Sequence, residues 1–223
     1  MSIPVEFLQS VPYFSGLSAT ELDSIREFIF EKKAERGEMV LVEGEPADIL
    51  YFVASGAVKV FKTSADGKEQ ILNIVRPGES FNDVPIFDGG PNPASAEAMG
   101  AVVLYSIRRS EIEVILRNHP QVALNVTKVL AGQARHLGLL VEDLSFRHVI
   151  GRVAKILIEY AGDGTGPRPR LTQQEIAAMA GTVREVVGRS LKALEEEGAI
   201  RLEHHRIVVA DMDALKGMVE AYS

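Results

Sequence analysis

The chain has 223 residues, 46% of them hydrophobic, which is enough to bury a sizeable core and suits two domains better than one. It carries 24 Lys and Arg against 31 Asp and Glu, a formal net charge of -7, and no cysteine. Disulfides, thiolate zinc sites, thiol catalysis and cysteine-held iron–sulfur clusters are thereby excluded. No apolar run approaches the roughly 20 residues that span a bilayer, and the N-terminus MSIPVEFLQSVPYF lacks the pattern of a signal peptide, so the expectation is a cytoplasmic protein with no membrane partner.

The first helical signal is SATELDSIREFIF, where Ser18 precedes Glu21 by three residues, the spacing of a capping box. From Glu38 to about Ile107, short apolar runs (MVLVEG, LYFVASG, AVKVFK, QILNIV, VVLYSI) alternate with Gly, Pro and Asp turns, the signature of an antiparallel β-sandwich or barrel. Asp66-Gly67 marks a hairpin. Ser110 and Glu113 predict a second capping box over a short helix, and Pro120 suits the first turn of a long one running to about Phe146. On it, Val126, Leu130, Leu137, Leu140 and Leu144 follow a 4-3 spacing if Gln133 is admitted, and predict a coiled-coil dimer seam; Gly132 and Gly138 would allow close approach.

Helix is expected to continue from Arg147 through RHVIGRVAKILIEYAG to the loop GDGTGPRPR. Next, Thr172 caps a short helix with Glu175 at the box position, Gly181 breaks it, and a second helix runs from Thr182 until Gly198. Two strands, AIRLE and RIVVAD, joined at His204-His205, form a hairpin beside it. Together they describe a winged helix-turn-helix. Charge agrees: Met1 to Phe146 holds 13 basic against 20 acidic residues, whereas Arg147 to Arg206 holds 10 against 8, net +2, a field suited to a polyanion.

The opening residues of a recognition helix enter the major groove and must be long and hydrogen-bonding. Arg184 and Arg189 can fork onto guanine, Glu185 can accept from cytosine, and Gly188 leaves room for the helix to sit deep. Most of Val183, Val186, Val187, Ser190, Leu191 and Leu194 are expected to face the core. With Thr172, Gln173, Thr182 and Lys192 these polar residues form the candidate DNA-binding set, and double-stranded DNA is the expected partner.

The segment LTQQEIAAMAGTVREVVGRSLKALEEEGAI resembles the DNA-binding unit of the cyclic-AMP receptor protein and fumarate–nitrate regulator (Crp/Fnr) superfamily. GEMVLVEGEPADILYFVASGAVKVFKTSADGKEQILNIVRPGESF resembles its cyclic-nucleotide-binding β-roll, including turn glycines Gly44, Gly56, Gly67 and Gly78. The resemblance implies an α+β chain: an effector or sensor β-roll with flanking helices (1–119), a dimerisation helix (120–146) and a winged helix-turn-helix (147–223). It implies a homodimeric transcription regulator, a near-palindromic TGTGA-like site, and RNA polymerase as a partner, with Thr63 to Gly67 and the loop 162–170 as candidate contact surfaces.

Cyclic-AMP-binding members of that family use Gly-Glu-Leu for the ribose and Arg-Ser for the cyclic phosphate, because the anion needs a fixed cation. Here those positions read Asn82-Asp83-Val84 and Asn92-Pro93-Ala94, and Leu137-Gly138 replace polar residues facing the adenine. The candidate effector contacts are Phe81, Asn82, Asp83, Val84, Asn92, Pro93, Ala94, Ser95, Gln133 and Leu137, and the expected small-molecule effector is not cyclic AMP. Haem in a gas- or redox-sensing member is an alternative, with His136, His148, Met99 or Tyr105 as ligand; an effector-independent member is another. No histidine precedes His119, which removes a cupin-like metal enzyme, and neither a phosphate-cradling loop nor a nucleophile elbow is present. The expectation is a regulator, not an enzyme.

Overall fold

The computed structural model describes residues 3–161, 171–203 and 206–222. The chain divides into two compact units: Met1–Lys62 with Leu72–His136, and Thr63–Ile71 with Leu137–Ser223.

The first unit opens with α1 (Val5–Ser10), a 3-10 turn over Pro12–Phe14 and α2 (Ala19–Arg26). Ser18 and Glu21 cap α2 reciprocally, as their spacing predicts. Eight strands follow: β1 (Phe30–Ala34), β2 (Met39–Leu41), β3 (Ile49–Ser55), β4 (Val58–Thr63), β5 (Glu69–Val75), β6 (Ser80–Phe81), and, after α3 (Asp83–Asp88), β7 (Ser95–Ala98) and β8 (Val102–Arg108). They form two four-stranded sheets, ordered β1-β8-β3-β6 and β2-β7-β4-β5.

Strand β3 shows why the sheets are covered on both faces. Successive side chains point to opposite sides. Leu50 and Phe52 therefore join Leu8, Phe14, Leu22, Ile112 and Val122 in a core built with the helices, while Tyr51 and Val53 join Val58, Phe81, Ala96 and Leu104 in a second core. At its end Gly56 takes φ +83, and a Cβ there would lie 2.5 Å from the Ala101 carbonyl oxygen, so only glycine fits.

Strand β8 runs directly into α4 (Arg109–Asn118). The predicted Ser110–Glu113 cap does not form: the strand sets the start of α4 at Arg109, and the Glu111 carboxylate accepts from the Arg108 N–H at 3.1 Å. Helix α5 (Pro120–Phe146) begins and ends at the expected residues.

In the second unit, α6 (Val149–Ala161) is separate from α5, contrary to the expectation of continuous helix. The break falls at Arg147 and His148: the Arg147 N–H still reaches the Asp143 carbonyl at 3.2 Å, but the His148 N–H turns to the Tyr222 carbonyl at 3.0 Å, with Arg147 Nη1 on the Val219 carbonyl at 2.7 Å. Both acceptors belong to the end of the chain, at and just past α9 (Met212–Ala221), a helix capped by Asp211 that sequence periodicity did not reveal. Between them lie α7 (Gln173–Ala180), α8 (Arg184–Glu196), and the antiparallel pair β9 (Ile200–Glu203) and β10 (Arg206–Val209). Their core is Val153, Leu157, Ile176, Val187, Leu191, Leu194, Ile200 and Leu215. His204-His205 and the loop 162–170 lie outside the described residues.

Candidate nucleic-acid interface and effector site

In the second unit, Thr172 and Glu175 cap α7 reciprocally: Thr172 Oγ1 accepts from the Glu175 N–H at 3.1 Å, and Glu175 accepts from the Thr172 N–H at 2.5 Å. The turn after α7 is made by Gly181 at φ +62; a Cβ there would meet Leu144 Cδ2 at 2.7 Å and Gln70 Oε1 at 3.0 Å. The last carbonyls of α7 are covered by the tip of the β4–β5 hairpin. Gln70 Nε2 donates to Met179 O at 3.3 Å and Lys68 Nζ to Gly181 O at 3.4 Å. These bonds hold the turn from which α8 departs.

Helix α8 starts at Arg184, with Val183 as N-cap, one to two residues later than its sequence signals suggest. It buries Val187, Ser190, Leu191 and Leu194, and on the opposite side it exposes Arg184, Glu185, Arg189 and Lys192. Lys192 lies 4.0 Å from Glu196, a surface pair of little energetic weight. Among the described residues, Arg184, Glu185 and Arg189 have no hydrogen-bond or ion-pair partner within the fold. A Cβ at Gly188 would meet nothing within 4 Å, so the space beside it is open. Thr172 is exposed, and Gln173 and Thr182 are half-buried. Of the six residues expected mostly to face the core, Val183 is left 49% exposed.

In the first unit, Asp83 is buried, and its carboxylate accepts from Tyr13 Oη, from Ser80 Oγ at 2.7 Å and from Gln133 Nε2 at 3.0 Å. Burial pushes the Tyr13 hydroxyl far above the usual phenol range, and the Asp83 carboxylate adds to the shift, so Tyr13 stays a neutral donor. All three partners of Asp83 are uncharged. Asn82, the only described non-glycine residue at positive φ, opens α3 in the left-handed region and donates to Ile49 O at 3.1 Å. Asn92 is buried and donates to Val42 O at 3.0 Å. Phe81 and Ala94 are buried, Ser95 is half-buried, and Val84 and Pro93 are exposed. The Tyr13 contact gave no local signal, because 70 residues separate it from Asp83.

Three of the candidate haem ligands make contacts within their own units. His136 donates from Nε2 to Leu72 O at 3.1 Å, and Tyr105 packs its buried ring edge-on against Phe7 at 4.9 Å. In the other unit His148 stands edge-on to Tyr222. No group of three or more His, Cys, Asp or Glu suited to a metal occurs among the described residues.

The dimer seam expected at Val126, Leu130, Leu137, Leu140 and Leu144 needs correction at Val126, Leu130 and Leu144. Val126 is 6% exposed inside the core of its own unit and Leu130 packs against that core, while Leu144 covers Gly181. Helix α5 instead exposes Leu124, Thr127, Ala131, Ala134, Gly138, Val141 and Ser145, an unbroken 3-4 spacing. Of the expected seam residues, Leu137 is 45% exposed beside this stripe and Leu140 is half-buried.

A Cyclic nucleotide-binding domain model matches residues 31–119 and a Crp-like helix-turn-helix domain model matches 151–218. The Cyclic AMP receptor protein of Thermus thermophilus is 35% identical over 87% of this chain and 90% of its own. The chain belongs to the Crp/Fnr family. A further relative in this family, the CRP-like cAMP-activated global transcriptional regulator of Mycobacterium tuberculosis, is 33% identical over 94% of this chain and 97% of its own. The structure of FixK2 from Bradyrhizobium japonicum superimposes with a TM-score of 0.75 at 27% identity, covering 85% of this chain and 96% of that one. As a Crp/Fnr member the chain is a DNA-binding transcription regulator, not an enzyme. No described helix is long and apolar enough to cross a membrane.

Proposed function

We propose that this Crp/Fnr regulator works as a cytoplasmic homodimer, joined along α5, that presents α8 twice to a near-palindromic site with TGTGA-like half-sites. The observation that carries the reading is the exposed row Arg184, Glu185, Arg189 and Lys192 beside the open Gly188. Two forked Arg contacts suit guanine and one carboxylate suits cytosine. The exposed 3-4 stripe on α5 supports the dimer, with Ala131, Ala134 and Gly138 allowing close approach. The domain division at 119 and 146 belongs to this proposal, as does RNA polymerase as partner, with the exposed turn Thr63 to Gly67 as one contact.

The effector is a small molecule other than cyclic AMP. Two relatives are named for cyclic AMP, yet here Pro93 stands at the phosphate-binding arginine position and supplies neither cation nor N–H donor. Asp83, at the Glu position of the ribose motif, has its carboxylate engaged by Tyr13, Ser80 and Gln133 instead of free for a ribose hydroxyl. Selection from a randomised duplex pool, with sedimentation of the free protein, tests the reading. It predicts a two-fold-related consensus and a dimer mass; a random pool or a monomer that binds alone would overturn it.

A further inference from the structure

The residue ahead of a helix normally carries Ser, Thr, Asp or Asn, whose side-chain oxygen satisfies a free backbone N–H of the first turn. Helix α8 has valine there. Val183 is extended (φ -111, ψ 155) and offers no side-chain cap, whereas the preceding helix α7 has its full Thr172–Glu175 box. Val183 is also no packing residue: it is 49% exposed and absent from the core, which Val187, Leu191 and Leu194 form from the same helix. The position thus gives up a cap without burying its apolar surface. It also stands directly before Arg184 and Glu185, at the helix end that enters the groove.

On the major-groove edge of a base pair, the apolar group is the 5-methyl of thymine. A valine has two methyls on a side chain stiff at χ1, so it presents a fixed apolar surface at little entropic cost. We propose that Val183 reads a thymine methyl, one in each half-site, next to the base pairs contacted by Arg184 and Glu185. This rests on α8 being the DNA-reading helix.

The test uses the full chain and its selected consensus duplex, in which each thymine is replaced in turn by deoxyuridine, removing the methyl alone. Affinities of wild type, Val183→Ser and Val183→Thr are measured by competition at one fixed salt concentration, with thermal unfolding in parallel. One burial-sized methyl predicts about a fourfold loss per substituted half-site for wild type, at one thymine position. Val183→Ser should lose that sensitivity while melting at the same or a higher temperature, because it gains a cap. Val183→Thr, which keeps one methyl, should be intermediate. A wild type indifferent to every deoxyuridine, or a serine variant with the wild-type penalty, overturns the proposal and leaves α8 as the reading helix. A wild type that selects no sequence overturns both.

Discussion

Gln133 donates from its side-chain amide to the buried carboxylate of Asp83 at 3.0 Å, joining the middle of α5 to the first residue of α3. The same carboxylate takes Tyr13 Oη, so three distant segments meet on one group. Tyr13→Phe removes one donor from a buried acceptor and should cost about 1–3 kcal/mol. Urea unfolding of the variant would measure it, with an unchanged slope showing that the two states keep their compactness.

Cyclic AMP should bind no tighter than roughly millimolar, about -4 kcal/mol, in a calorimetric titration. Restoring a cation at the phosphate position with Pro93→Arg should improve affinity. Micromolar binding to the wild type that also raises DNA affinity would contradict the proposed effector.

Replacing Arg184 or Arg189 by Ala should cost roughly 1–3 kcal/mol of DNA affinity and relax preference at one base pair per half-site. Glu185→Ala should differ: it loses an acceptor for cytosine but also a repulsion from phosphate, so specificity falls more than affinity. Pool selection with each variant at fixed salt distinguishes these outcomes from uniform weakening.

Val141 is 63% exposed on the outward stripe of α5, and Val126 is 6% exposed on the inward face. Val141→Glu should give a folded monomer by sedimentation, since two charges would face each other across the seam. Val126→Ala should instead keep the dimer and lose about 1–3 kcal/mol of stability through a cavity in its own core. The reverse pattern would restore the leucine seam.

Asp143, near the end of α5, accepts from Arg147 Nε at 3.0 Å and from Lys155 Nζ. Burial pushes its carboxyl up, but the hydrogen bonds and charges of Lys155 and Arg147 outweigh this and hold it below the usual value. A lowered native pKa means that this stabilisation is complete above the ordinary unfolded value of about 4 and disappears as pH falls through the native one. Asp143→Asn should therefore destabilise by about 1 kcal/mol near neutrality, since solvent screens this partly open group, with the gap to wild type closing as pH falls below about 4. Unfolding curves across that range would show it.

The sequence alone determined the succession of β-rich segment, long helix and helix-turn-helix with its hairpin, the capping boxes of α2 and α7, the limits of α5, and the polar row on α8. Each depends on contacts within a few residues: Ser18 reaches Glu21, Thr172 reaches Glu175, and helical spacing puts Arg184, Gly188 and Arg189 on one side. Tertiary structure decided what depends on distant partners. Which face of α5 is free follows from the core that claims Val126 and Leu130. The break before α6 follows from the Val219 and Tyr222 carbonyls, and the surroundings of Asp83 from Tyr13. Val183 illustrates the division most simply: a valine in a helical pattern reads as core, because period marks a side chain's direction along its helix. Only the packed fold shows whether anything lies in that direction.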